Sequence, residues 1–174
     1  MIKFSKESAM NIGWQITGDV QLYGIKLWRL EMDGFEYVSE LTIDEKILFL
    51  RLIIKIISED GEIDKYERQF IRNLAKQYQI PAEYGEQINA PSSFDDLITQ
   101  AQNCLDRKKS LYLIKELLAV ANTDNEFSED EVDFVVRISE KLGIESEKVV
   151  ELNQLVLDRL NWLKRYRQAL EIDE

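Results

Sequence analysis

From Thr42 onward apolar residues recur every three to four positions, the spacing that collects side chains on one face of an α-helix. Thr42-Ile43-Asp44-Glu45 opens the first such stretch as a capping box, in which a hydroxyl and a carboxylate three residues later satisfy free backbone N–H groups, and the pattern predicts a helix to about Glu59. Leu48, Leu52 and Ile56 lie on one side, while Ile53, Ile54 and Ile57 widen the apolar face until the helix must be largely buried. A second helix is predicted from about Asp64 to Gln79, striped by Phe70, Ile71, Leu74 and Tyr78 and ended by Pro81. Pro91-Ser92-Ser93 opens another, from near Phe94 to Leu105. Ser110 to about Ala121 and Ser128 to Leu142 follow, the latter stopped by Gly143. A last helix, about 146–170, carries Val149, Leu152, Val156, Trp162, Leu163 and Tyr166 at core spacing. Links this short imply neighbouring helices packed antiparallel, hence an all-α, compact helical bundle.

Residues 1–40 read differently. Ile12, Trp14 and Ile16 alternate as a strand would, Gly18-Asp19 suits a turn, and Val20 and Leu22 continue the alternation; yet Val20, Tyr23, Leu27 and Leu30 also have helical spacing. The expectation is an N-terminal arm, irregular or β-like, packed on a helical domain of residues 41–174. Two tryptophans argue against a loose tail.

The chain says one thing twice. Ser58-Glu59-Asp60-Gly61-Glu62-Ile63-Asp64-Lys65-Tyr66-Glu67 returns as Asn122-Thr123-Asp124-Asn125-Glu126-Phe127-Ser128-Glu129-Asp130-Glu131, 64 residues on. The register runs without a gap to Ile80 and Ile144 and pairs Leu50 with Ile114, Ile53 with Leu117, Phe70 with Phe134 and Leu74 with Ile138. It implies an internal pseudo-repeat with halves at about 42–80 and 106–144.

Within each acidic turn most residues have a folding role. Gly61 and Asn125 stand where a helix must end, and Gly and Asn enter the left-handed conformation most readily. Asp64 and Ser128 head the next helices, with Glu67 and Glu131 three residues later, so each copy contains a capping box. Ile63 and Phe127 precede the caps as apolar staples. Asp60, Glu62, Asp124 and Glu126 are left over. An aspartate in the last turn of a helix faces the negative end of the dipole, which asks for a compensating partner. Were the two turns brought together, these four residues would offer the oxygen ligands hard divalent cations such as calcium or magnesium take. The turns are not EF-hands: counting from Asp60 puts Lys65 at the glycine position and Ile71 at the bidentate glutamate, and counting from Asp124 puts Glu129 and Val135 there.

Composition narrows the function classes. A net charge of −11 disfavours nucleic acid and anionic lipid and favours cations or basic protein surfaces. Without histidine no Ser-His or Cys-His nucleophile is possible, and no phosphate loop is present. Cys104, the one cysteine, excludes an internal disulfide, and its place among helix residues suggests a small buried hydrophobe. No signal-peptide pattern and no membrane-spanning apolar run are visible, so a cytoplasmic protein without membrane insertion is expected.

The repeated motif resembles that of the tellurite-resistance TerB-like family, a buried helix ending apolar-Ala-x-Ala-x-x-Asp-Gly, then a glutamate-bearing helix closing on Leu-Gly-apolar. Leu118-Ala119-Val120-Ala121-Asn122-Thr123-Asp124-Asn125 and Leu142-Gly143-Ile144 look like it closely, and Ile56 to Glu67 looks like the other copy. Asn125 for the usual glycine, Ile56 and Ser58 in place of alanines, and the N-terminal arm depart from the pattern. The resemblance implies an all-helical fold with a pseudo-repeat, no catalytic activity, a place in tellurite resistance or general stress responses, metal binding through acidic residues, and use as a module in larger proteins, among them a membrane-anchored J-domain co-chaperone.

Arg159, Lys164, Arg165 and Arg167 make the last helix basic in an acidic chain, a candidate partner surface, although cations there also offset the helix dipole and the neighbouring aromatics have core spacing. Asp106-Arg107-Lys108-Lys109 reads as a solvated inter-helix turn. The resulting expectation is a non-enzymatic stress-response module whose acidic turns bind a divalent cation, a protein partner, or both. A metal-independent scaffold or co-chaperone-like adaptor is the alternative, and a carboxylate-metal enzyme a distant third.

Overall fold

The structure, a computed structural model, describes residues 36–58, 63–122 and 129–171. Seven α-helices and no strand occur among them: α1 Ile43–Ile57, α2 Lys65–Gln77, α3 Gly85–Ile88, α4 Phe94–Cys104, α5 Arg107–Ala121, α6 Glu129–Lys141 and α7 Ser146–Ala169. Two short 3₁₀ turns, Glu36–Glu40 and Ala82–Tyr84, precede α1 and α3. The repeat is exact at the level of elements: α1 and α5 have 15 residues each, α2 and α6 have 13, and every boundary recurs 64 positions later.

α1 and α5 form the centre. α1 touches α2, α3, α4 and α5, and α5 touches α6 and α7, so the two copies of one helix together contact every other helix. Their composition explains this: Leu50, Leu52, Ile53 and Phe49 on α1 and Leu113, Ile114, Leu117 and Leu118 on α5 are completely buried, each contributing about 1.5–3 kcal/mol of apolar burial. The pairings predicted across the repeat hold in the core, although Phe70 is only partly covered where Phe134 is buried.

The helix ends repeat as well. α2 closes with the Ile80 N–H bonded to the Ala75 carbonyl and the Gln79 N–H to that of Lys76; in α6 the Ile144 and Gly143 N–H groups bond the carbonyls of Ser139 and Glu140, the same four positions 64 residues on. Both closures need a left-handed residue, Gln79 (φ 53°) in the first copy and Gly143 (φ 68°) in the second. Pro81 therefore does not end the second helix, which closes two residues earlier and leaves Pro81 to cap the 3₁₀ turn.

Three further expectations are corrected. Asp106-Arg107-Lys108-Lys109 is solvated except for the partly covered Lys109, but it is the cap and first turn of α5 rather than a loop, with Asp106 Oδ1 accepting from the Lys109 N–H at 2.8 Å. Three cations at a helix N-terminus oppose the dipole; here each meets a carboxylate, Arg107 with Glu145, Lys108 with Glu40 and Lys109 with Glu45. Cys104 is exposed, because it is the last residue of α4 and Ala101, Leu97 and Ile98 supply that helix's buried face. Trp162 and Tyr166 have core spacing yet are exposed, since Val149, Asn153 and Val156 already define the side of α7 that faces the bundle. The strand-like pattern of the arm lies outside the described residues. Glu36–Glu40, the described end of residues 1–40, packs on the bundle with Tyr37 and Val38 buried.

Candidate functional site

Asp60, Gly61, Glu62, Asp124, Asn125, Glu126 and Ser128 lie outside the described residues, so the structure defines how each acidic turn is entered and left. The entries are alike. Ser58 ends α1 at φ −90°, ψ 6°, its N–H shared by the Ile54 and Ile56 carbonyls; Asn122 ends α5 at φ −95°, ψ 9°, its N–H shared by those of Leu118 and Val120. The side chains then differ. Ser58 Oγ donates back to the Lys55 carbonyl, whereas Asn122 Nδ2 donates to the Leu118 carbonyl and, at 2.9 Å, to Oδ1 of the buried Asn153 on α7. Only the second entry is thus tied by its side chain to a neighbouring helix among these bonds.

The first exit is the predicted capping box. The Tyr66 and Glu67 N–H groups donate to Asp64 Oδ1 at 2.6 and 2.8 Å, and the Asp64 N–H donates to Glu67 Oε2 at 2.6 Å. Such a cap is worth about 1 kcal/mol. Glu131 stands in the first turn of α6 at the position matching Glu67. Among the described residues no group of three or more histidine, cysteine or acidic side chains is placed to hold a metal ion.

Two polar arrangements escaped the sequence reading. Glu45 and Lys109 occupy equivalent positions of α1 and α5, and their side chains meet at 2.6 Å across the repeat. Burial disfavours the Glu45 carboxylate, but the hydrogen bonds from Lys109 and from the Thr42 N–H, together with the Lys109 charge, hold its pKa below the ordinary value. The second arrangement is deeper. Glu116, only 6% exposed, pairs with Lys115 at 2.7 Å and lies beside Tyr37, whose hydroxyl is 3.3 Å from that of the fully buried Tyr78. Tyr37 also stacks on Tyr112 at 4.3 Å. Burial, then the Glu116 charge, pushes both tyrosine pKa values far up. The signal lay in the repeat: Glu116 matches Leu52, so its place had to be buried.

The basic residues of the last helix divide. Lys164 and Arg165 are exposed, Arg159 and Arg167 partly covered, and beside them Trp162 and Tyr166 stack with ring centroids 5.1 Å apart at 19°. No helix among the described residues is long and apolar enough to cross a membrane.

Residues 82–154 match the family described as Tellurite resistance protein TerB, a span that runs from the turn before α3 into α7 and contains the whole second copy of the repeat. No curated protein and no solved structure matches the chain.

Proposed function

Starting from a chain that is TerB-like over residues 82–154, we propose that it is a non-enzymatic stress-response module that binds a divalent cation, calcium or magnesium, through Asp60, Glu62, Asp124 and Glu126. The observation that carries this reading is the identity of the two turn entries at Ser58 and Asn122, which launches both acidic segments from the same backbone geometry. Asp64 and Glu67 are used by the capping box at the exit of the first turn, and the sequence assigns Asp60 and Glu62 no comparable folding role. Oxygen ligands from carboxylates are what hard divalent cations take.

The test is thermal unfolding of chelator-stripped protein with and without millimolar calcium or magnesium, beside the Asp60→Asn/Asp124→Asn variant. An ion present at about a hundred times its dissociation constant stabilises by ~2.7 kcal/mol, and the shift should vanish in the variant. If neither ion moves the parent's midpoint, the cation reading fails. The adaptor reading then takes its place: a scaffold whose acidic surface, supported by the net charge of −11, binds a basic protein partner without an ion.

A further inference from the structure

Leu155, Trp162 and Tyr166 on α7 and Leu170, which caps it, are among the large apolar side chains left exposed, between 41% and 58% each. At 100° per residue they fall within an 80° sector, along about 22 Å of helix. The sector is turned roughly 110° from the side on which Val149, Asn153 and Val156 meet the bundle. The stripe borders the core side, where Leu152 packs against the bundle, while its centre is turned away from it. Arg159 stands within the same sector between Leu155 and Trp162, so the exposed apolar surface is densest from Trp162 to Leu170, and an exposed apolar cluster rimmed by polar residues marks an interaction site.

Charge identifies what fits it. Along one edge of the stripe, seven residues apart, stand Glu151, Asp158 and Arg165, so the edge is acidic toward the start of α7 and basic toward its end. The dipole explains cations in the last turn, but not their alignment with acids beside an exposed aromatic seam. Laid antiparallel on an identical helix about a twofold axis near Trp162, the seam meets itself, and Asp158 of each copy comes opposite Arg165 of the other. A twofold contact is necessarily self-complementary, and charges flanking an apolar seam set partner and orientation in helix pairs.

We propose that the α7 stripe is a homodimer interface in which two copies of this chain pair their last helices antiparallel. The surface is distinct from the acidic turns and its use does not depend on an ion. Four half-exposed apolar side chains make a small interface, so the dimer belongs among the weak, transient ones.

Sedimentation velocity on the full chain, from low micromolar to several hundred micromolar, reads the association. The parent should pass from monomer to dimer across that range, and Trp162→Ala should weaken the association by about tenfold or more. Asp158→Arg and Arg165→Asp should each do so as well, by juxtaposing like charges twice in the dimer, and the double exchange should restore it. Far-UV circular dichroism confirms that each variant is folded. A parent that stays monomeric throughout, or a dimer indifferent to all three single changes, overturns the proposal. A Trp14→Phe/Trp28→Phe variant leaves Trp162 as the sole indole. Its emission should shift to the blue as concentration rises. Blue emission already present in the monomer would mean that residues 1–35 cover the stripe, which equally overturns it.

Discussion

The two halves of the repeat share a skeleton and differ in what each position does. α1 with α2 and α5 with α6 start and stop at the same places and are closed by the same pairs of backbone bonds. Yet Glu45 in the first copy corresponds to Lys109 in the second, Leu52 to Glu116, Tyr78 to Leu142 and Gln79 to Gly143. Backbone geometry is set by periodicity, caps and stops, which tolerate many side chains. The side chains were free to become complementary, and at Glu45 and Lys109 the two copies of one position now bind each other.

Removing a twin from each copy tests the asymmetry most strongly. Phe134 is 2% exposed and packs against Phe94 at 4.7 Å, whereas Phe70 only leans on the core. Phe134→Ala should cost about 3–5 kcal/mol and Phe70→Ala roughly half that, read by denaturant unfolding. Equal losses would mean that both halves carry the core alike.

The tyrosine pair distinguishes the halves at high pH. Tyr37 and Tyr78 bind their protons more tightly in the folded chain than in the unfolded one. Their contribution is therefore intact below the ordinary tyrosine value of about 10 and is lost as pH rises past it, at about 1.4 kcal/mol per pH unit for each. Unfolding monitored from pH 9 to 12 should show the loss in the parent and a shallower one in Tyr78→Phe.

Exchanging the helix stops is subtler. Gln79 holds a left-handed conformation that glycine adopts freely, so Gln79→Gly should stabilise by up to ~1 kcal/mol, and Gly143→Ala should destabilise by a similar amount. A Cβ at Gly143 meets nothing within 4 Å, so the loss would be conformational rather than steric. Opposite signs from the two variants would confirm that one device closes both halves.

The smallest expected effect lies at Glu45. Its carboxyl titrates below the ordinary 4.5, so the stabilisation from its partners is present above that value and fades as pH falls toward and through the lower folded one. Glu45→Gln should flatten the acid limb of the stability curve as pH falls below about 5, and Lys109→Met, which leaves the buried carboxylate only its Thr42 partner and lets burial raise its pKa, should flatten it as well while lowering stability at neutral pH. Coincident acid limbs in all three proteins would show that the pair contributes nothing.

What the sequence determined by itself was local and repetitive. The 3.6-residue period, the capping boxes at Thr42 and Asp64 and the stop at Gly143 are properties of adjacent residues, and the 64-residue register pointed to the buried twins Leu50 and Ile114 without any three-dimensional knowledge. What it left open was decided by contacts between distant segments. Asp106 to Lys109 reads as a turn until Asp106 is seen to cap α5 and Glu40, Glu45 and Glu145 are brought to its three cations, which offsets their clash with the dipole. Trp162 and Tyr166 carry core spacing, but a helix with 24 residues has more apolar faces than one bundle can cover, and only packing selects the face that is buried. Glu116 could be recognised as buried from its twin Leu52, with Lys115 beside it in the sequence, but only the tertiary arrangement brings Tyr37 to it, and burying an ion without partners costs several kcal/mol.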